Sequence, residues 1–242
     1  MTGRGGDDDR PSPAAASRPS PATAPHPSPP RPPLDLPDPP LADPTAGIVL
    51  RPWRPTPGDV AALAAAWADA EIVAHTTVPD DRSTAAAERW IRSDPARRAA
   101  GLCLDLVVAP LAGAGRAAGS PATGRAAHAP PAEARQVDRA QAAGASWAGD
   151  AVLGEVGLRN VEVRPRRAEI GWWIAAAHRG RGLAVAATRL LTDWALSGDG
   201  GFDQVWARID PGNPASARVA GEAGFVLLGT AGGAAVWSRT RA

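Results

Sequence analysis

The stretch from Arg166 to Ile209 constrains the fold most. "RRAEIGWWIA" (166–175) reads as a strand, and "HRGRGLAVAATRLLTDWAL" (178–196) follows it directly. In that second segment Leu183, Ala187, Leu190 and Trp194 step by four, three and four, which makes one face of a helix ending at Ser197-Gly198. "FDQVWARI" (202–209) reads as a strand again. A strand, a crossover helix and a second strand imply a parallel pair, so any sheet built from this chain contains at least one parallel step.

The remaining elements extend that unit. "GIVLRPW" (47–53) reads as a short strand. Leu63, Trp67 and Ala70/Glu71 keep helical spacing over about 58–70. Ser83/Thr84 is a candidate N-cap for a helix with Ala87, Trp90 and Ile91 on one face. "LCLDLVV" (102–108) and "AVLGEVGLRN" (151–160) read as strands, the latter joined to 166–175 by a hairpin-like turn at about 160–165. "NPASARVAGEAG" reads as a helix with Asn213 at N-cap, Pro214 at the first helical position and Gly224 past its end. "FVLLGT" and "AAVWSR" finish the chain as strands. The order is β α α β β β α β α β β, a mixed α/β or α+β class.

Not all 242 residues fit such a core. Residues 1–46 have hardly a large apolar side chain, and "PSPPRPPLDLPDPP" has polyproline character, so a disordered Pro-rich tail is expected there. Pro110 to Asp150 is rich in Ala, Gly, Arg and Pro, with Trp147 its largest side chain; a flexible insertion is expected. What remains is about 155 residues, enough for one core. A formal net charge of +1 gives no bias toward nucleic acid or membranes. One cysteine, Cys103, rules out an internal disulfide framework and suggests a reducing compartment; it reads as a buried strand residue rather than a nucleophile. The first thirty residues lack an apolar run, and no run approaches the roughly 20 residues of a membrane span. A cytoplasmic chain is expected.

Two glycines and two arginines stand at the door of the 183–197 helix. A helix start carries unpaired N–H groups and about half a positive charge. Glycines there let the main chain approach a ligand, and Arg179 and Arg181 add charge, so the segment reads as a phosphate cradle. A Walker A loop needs lysine, and this chain has none. A dinucleotide fingerprint needs a third glycine where Val185 stands.

A third pattern fits. Arg179-Gly180-Arg181-Gly182-Leu183-Ala184 has the form Arg/Gln-x-x-Gly-x-Gly/Ala between a strand and a helix. It resembles the acetyl-CoA pyrophosphate loop of the GNAT N-acetyltransferase superfamily. "NPASARVAGEAGFVLLG" resembles the Asn-x-x-Ser … Gly-Phe … Gly pattern of its ribosomal-protein-alanine acetyltransferase branch, and "IVLRPWR" and "LGEVGLRN … AEIGWWI" resemble its first and central strands. The resemblance covers about 48–109 and 151–240. It implies a mixed, mostly antiparallel twisted sheet of six to seven strands flanked by about four helices, with 47–242 as one acyl-CoA N-acyltransferase domain carrying the 110–150 insertion.

Acetyl transfer from a thioester to an amine needs a deprotonated amine, a held thioester, donors for the oxyanion and a proton for the departing thiolate. The strand 169–175 can pair with pantetheine, and a backbone N–H near Ile174 can polarise the thioester carbonyl. Glu169 is the candidate base, because related enzymes often carry a catalytic glutamate on this strand; Glu155 is its rival. Many relatives use a tyrosine as leaving-group acid, and this chain has no tyrosine. Ser216 takes that place in the alanine-acetyltransferase branch. The resemblance also implies that Asn213 contacts the cofactor arm; the chain has only two asparagines, Asn160 and Asn213. The resemblance thus implies acetyl-CoA as acyl donor, no metal, an amine acceptor on a protein N-terminus or a small molecule, no nucleic-acid or membrane partner, and a monomer or homodimer. The alternative is a non-catalytic acetyl-CoA-binding scaffold or sensor.

Overall fold

The computed structural model describes residues 31–113, 147 and 149–241. These described residues form one compact unit. Its elements are β1 (Ala42–Asp43), β2 (Ile48–Pro52), α1 (Pro57–Ala68), α2 (Ala70–His75), α3 (Thr84–Ala99), β3 (Leu104–Pro110), β4 (Gly154–Val163), β5 (Arg166–Ile174), a 3-10 turn (Ala176–His178), α4 (Leu183–Ala195), β6 (Gln204–Ile209), α5 (Pro214–Glu222), β7 (Val226–Ala231) and β8 (Ala234–Thr240). The strands form one sheet in the order β1-β2-β3-β4-β5-β6-β8-β7. Every neighbouring pair is antiparallel except β5 and β6, the parallel step that the crossover helix α4 imposes.

The class is the mixed α+β one expected, with one α-helix and one strand more than the sequence suggested, besides the 3-10 turn. Asp69 accounts for one of them. Its backbone is extended (φ −72, ψ 117), and its carboxylate accepts from the N–H groups of Glu71 and Ile72. It therefore ends α1 and caps α2, where a single helix over 58–70 was expected. The other is β1, which belongs to the expected tail.

The tail boundary at residue 46 is wrong. Leu34 and Leu41 are buried, and β1 pairs with β2. The Leu34 N–H donates to Arg98 O at 3.0 Å, and Arg31 Nε donates to Val161 O at 3.0 Å. Two leucines among prolines suffice to anchor a segment whose average composition reads as unable to fold. Residues 1–30 of the expected tail lie outside the described residues. The insertion boundaries also shift inward. Leu111 bridges Trp147, and Arg54 pairs with Asp150 at 2.8 Å, so both ends of 110–150 are held; 114–146 and 148 lie outside the described residues.

The core has two layers. On one face of the sheet, Val49, Trp53 and Val107 pack against α1 and α3 through Val60, Leu63, Trp67, Ala87 and Ile91. On the other, Leu106, Val156, Leu158 and Ile170 meet α4 through Leu183, Ala187 and Leu191, and Ala220 at the end of α5. A bidentate pair between Arg51 on β2 and Asp59 in the first turn of α1 (2.6 and 2.8 Å), both fully buried, ties β2 to α1.

Candidate functional site

The site begins where β5 and β6 part. They pair only over Arg167–Glu169 and Gln204–Trp206. Beyond Glu169, β5 keeps β4 on one side and, among the described residues, has no strand on the other. Ala175 N–H bonds to Leu153 O, so in the antiparallel alternation Ile174, opposite Gly154, and Trp172, opposite Val156, turn their backbone groups away from β4. These groups face the wedge and offer an extended ligand an open edge. Ile174 O already accepts from Arg179 Nε at 3.0 Å.

Two cavities fill the wedge. The larger, about 460 Å³, runs along Trp172–Ile174 to the loop before α4. The smaller, about 310 Å³, lies at the Glu169 end. Both are lined by His75, Thr76, Trp172, Asn213 and Ser216, so they meet there.

At the loop end, Gly180 and Gly182 both have φ of 73°, in the left-handed region that glycine reaches without strain. A Cβ on either would meet nothing within 4 Å, so the main chain faces open space. Gly182 is the N-cap of α4 and no side chain caps that helix, which leaves its first N–H groups free for an anion. Gly180, Gly182, Leu183 and Ala184 line the larger cavity, as does Ile174.

The two loop arginines behave differently from the expectation. Arg181 is exposed and does not line either cavity; its NH1 lies 3.4 Å from His178 Nδ1. Arg179 lines the larger cavity, but its guanidinium is already paired, with Asp69 at 2.7 Å and Glu71 at 2.6 Å. Burial works to raise the Asp69 pKa, but the N–H groups of Glu71 and Ile72 and the Arg179 charge outweigh it and hold the carboxyl below its usual value. Arg179 thus ties the loop to the α1–α2 junction. A second cation, Arg218 on α5, lines the same cavity and was not singled out from sequence.

Asn213 caps α5: its Oδ1 accepts from Ser216 N–H at 2.9 Å. That leaves its amide N–H₂ group for the junction of the cavities, which Ser216 also lines. Glu169 lines the smaller cavity and Glu155 lines neither. Glu169 Oε2 accepts from Asn160 Nδ2 at 2.6 Å, and Oε1 lies 3.6 Å from Arg208 Nε. Asn160 reaches it from a bulge in β4, between Arg159 and Glu162, with φ of 49°. Asparagine adopts that conformation more readily than most residues. The sequence held a signal for it, since Asn160 is the other of only two asparagines.

Glu155, on the same sheet face, accepts from Trp53 Nε1 at 2.9 Å. Burial first, and then the Asp105 charge, push it up to about 8. Cys103 is buried, and burial together with Asp105 pushes its thiol up to about 12, which leaves it unreactive. Among the described residues no helix is long and apolar enough to cross a membrane.

Comparison with known proteins agrees with this layout. The acetyltransferase (GNAT) domain family matches residues 48–226. The ribosomal-protein-serine acetyltransferase of Escherichia coli is 33% identical over 81 residues, which span 33% of this chain and 44% of that protein, less than half its length. Among solved structures, RimJ of Mycobacterium smegmatis in complex with CoA-disulfide superposes with a TM-score of 0.57 at 20% identity, covering 83% of this chain and 85% of RimJ. The spermidine N-acetyltransferase of Vibrio cholerae in complex with CoA and spermine gives 0.55 at 15% identity, covering 81% and 96%. At these identities the two structures share the fold.

Proposed function

Because the chain belongs to the acetyltransferase (GNAT) domain family, we propose that it moves an acetyl group from acetyl-CoA to a primary amine, on a protein N-terminus or a small molecule, by direct attack in a ternary complex. One observation carries this reading: a continuous cleft joins an open, glycine-flanked helix start to a carboxylate, along the edge of β5 that no described strand covers. The pyrophosphate of the donor fits the N–H groups at the start of α4, with Gly180 and Gly182 allowing close approach. Pantetheine fits the edge of β5 at Trp172 and Ile174, as an added strand would. That puts the thioester toward Ser216 and the junction of the two cavities.

In the smaller cavity Glu169 takes a proton from the ammonium form of the acceptor, directly or through water. The amine nitrogen attacks the thioester carbonyl carbon, and the backbone N–H of Ile174 donates to the developing oxyanion. The new C–N bond forms and the C–S bond breaks. Ser216 gives its hydroxyl proton to the departing thiolate and regains one from solvent. Asn160 and Arg208 keep the Glu169 carboxylate in place.

Both oxygens of Glu169 already have protein neighbours, Asn160 and Arg208, which is the observation that keeps a second reading, a non-catalytic acetyl-CoA-binding module. One experiment separates them. Acetyl-CoA affinity is measured by calorimetry, and free CoA release is followed over a broad panel of amines. Binding with amine-dependent release supports the transferase; binding without release on any amine supports the module; no binding sinks both.

A further inference from the structure

We propose that the acceptor amine is borne on an acid, with a carboxylate or phosphate a few bonds from the nitrogen, and that Arg159 selects it. This rests on the transferase reading above and names the substrate class of that site.

The charged groups facing the smaller cavity are Arg159, Glu169, Arg208, Asp210 and His75. Most have protein partners. Glu169 is held by Asn160 and lies beside Arg208, and Asp210 Oδ1 accepts from Gly212 N–H at 2.7 Å. Among the described residues, Arg159 makes neither an ion pair nor a side-chain hydrogen bond. It is the direct cross-strand partner of Glu169.

Its position is built into the sheet. The guanidinium lies across β5 over Gly171, and a Cβ on residue 171 would collide with it. Gly171 stands opposite Gly157 in the register; the arginine lies over Gly171, and the Asp105 carboxylate, itself paired with Arg97 at 3.2 Å, lies over Gly157. Two residues along a strand separate Gly171 from Glu169, about 7 Å at the usual rise. An amine at Glu169 and an anion at Arg159 are therefore within one small molecule or one amino-terminal residue of each other.

A guanidinium presents a rigid fork of donors that matches carboxylate and phosphate. Asp105 and Glu155 lie farther along the same face, within reach of the Arg159 charge though not paired with it. Burial keeps the Glu155 proton on at neutral pH, so that carboxyl does not cancel the arginine. A polyamine would set a second ammonium against Arg159; an acid-bearing amine gains a charge-assisted hydrogen bond there.

The test is a set of matched acceptors with free CoA as readout: an amino acid against its amide, O-phosphoethanolamine against ethanolamine, and a peptide with amino-terminal Asp against the same peptide with Asn. At least one acid-bearing member is expected to exceed its neutral partner about tenfold or more in kcat/KM, the scale of one good polar contact. The responding pair tells α-carboxylate, side-chain carboxylate and phosphate apart. Arg159→Met should close that gap by raising KM for the acid-bearing member, with acetyl-CoA affinity retained as the sign of a folded protein. Gly171→Ala should act in the same direction without changing a charge, by displacing the guanidinium. If the parent turns over amines but no pair differs, or if the preference survives in Arg159→Met, the acid-selecting role is overturned and the transferase reading stands. Acetyl-CoA binding with no turnover of any amine overturns both.

Discussion

At Glu169 the two carboxylate oxygens have separate neighbours, Asn160 on one side and Arg208 on the other, so the group is fixed before any substrate arrives. Such fixing is what a base needs to meet an amine at hydrogen-bond distance. Glu169→Gln keeps the shape and removes the basicity. It is expected to lower kcat by about 10²–10⁴-fold with acetyl-CoA affinity nearly unchanged, measured by steady-state kinetics from pH 6 to 9.5. Parent-like turnover in that variant would remove Glu169 from the chemistry. Glu155 gives a different signature, on stability. Its folded pKa, about 8, exceeds the ordinary 4.5, so between those values the folded chain holds a proton that the unfolded chain has lost. Stability therefore falls as pH rises through that window and levels off above it. Glu155→Gln should flatten this fall and raise stability at pH 9 by roughly 1–3 kcal/mol, read from urea unfolding at a series of pH values. A parent whose stability is flat from pH 5 to 8 would contradict the burial of that carboxyl.

The helix α4 and the loop before it work as one element. Glycine at 182 serves twice: it takes the positive φ without strain, and it leaves open space beside the first N–H groups. Gly182→Asp adds a Cβ and a carboxylate where a phosphate would lie. Aspartate tolerates the left-handed region better than most residues, so the fold should survive. The expected outcome is a loss of acetyl-CoA affinity of about 100-fold or more by calorimetry, with thermal unfolding close to that of the parent. Unchanged affinity would remove the anion-binding role of the helix start. The same loop reaches α1 and α2 through Arg179, which pairs with Asp69 and Glu71. Asp69 in turn caps α2, whose His75 lines both cavities. One ion-pair cluster therefore sets the loop and the helices over the cleft relative to each other.

At the scale of the whole molecule the sheet is held at its first edge by the segment 31–46. Leu34 and Leu41 belong to the same apolar cluster as α4 and the central strands. Each buried leucine contributes about 1.5–3 kcal/mol. A chain beginning at residue 31 is expected to unfold like the full chain. One beginning at residue 47 should be destabilised by several kcal/mol, on the order of the two leucines together, in urea or thermal melts. Equal stability of the two would mean that the tail merely lies on the core. The expectation that 1–30 and the middle of the insertion lack stable structure stays a proposal, testable by protease cleavage that leaves acetyl-CoA binding intact.

Local signals sufficed for much of this. The 3.6 period of α4, the Asn-Pro start and Gly224 end of α5, and the glycine pair before α4 act within a few residues, and so they were legible in the sequence. The parallel step between β5 and β6 followed from the crossover between them. Other features depend on residues far apart in the chain. That Arg179 spends its charge on Asp69 and Glu71, 110 and 108 residues away, needs the α1–α2 junction folded over the loop. That Asn160 orients Glu169 needs the bulge in β4, and that Arg159 lies across β5 needs a glycine at 171. Proline-rich composition concealed the burial of Leu34 and Leu41, because burial belongs to the surface a segment meets and not to the segment. Sequence determined most of the elements and the glycine-flanked start of α4, because those signals are local; only the tertiary structure decided which charges, among the described residues, are already paired with one another.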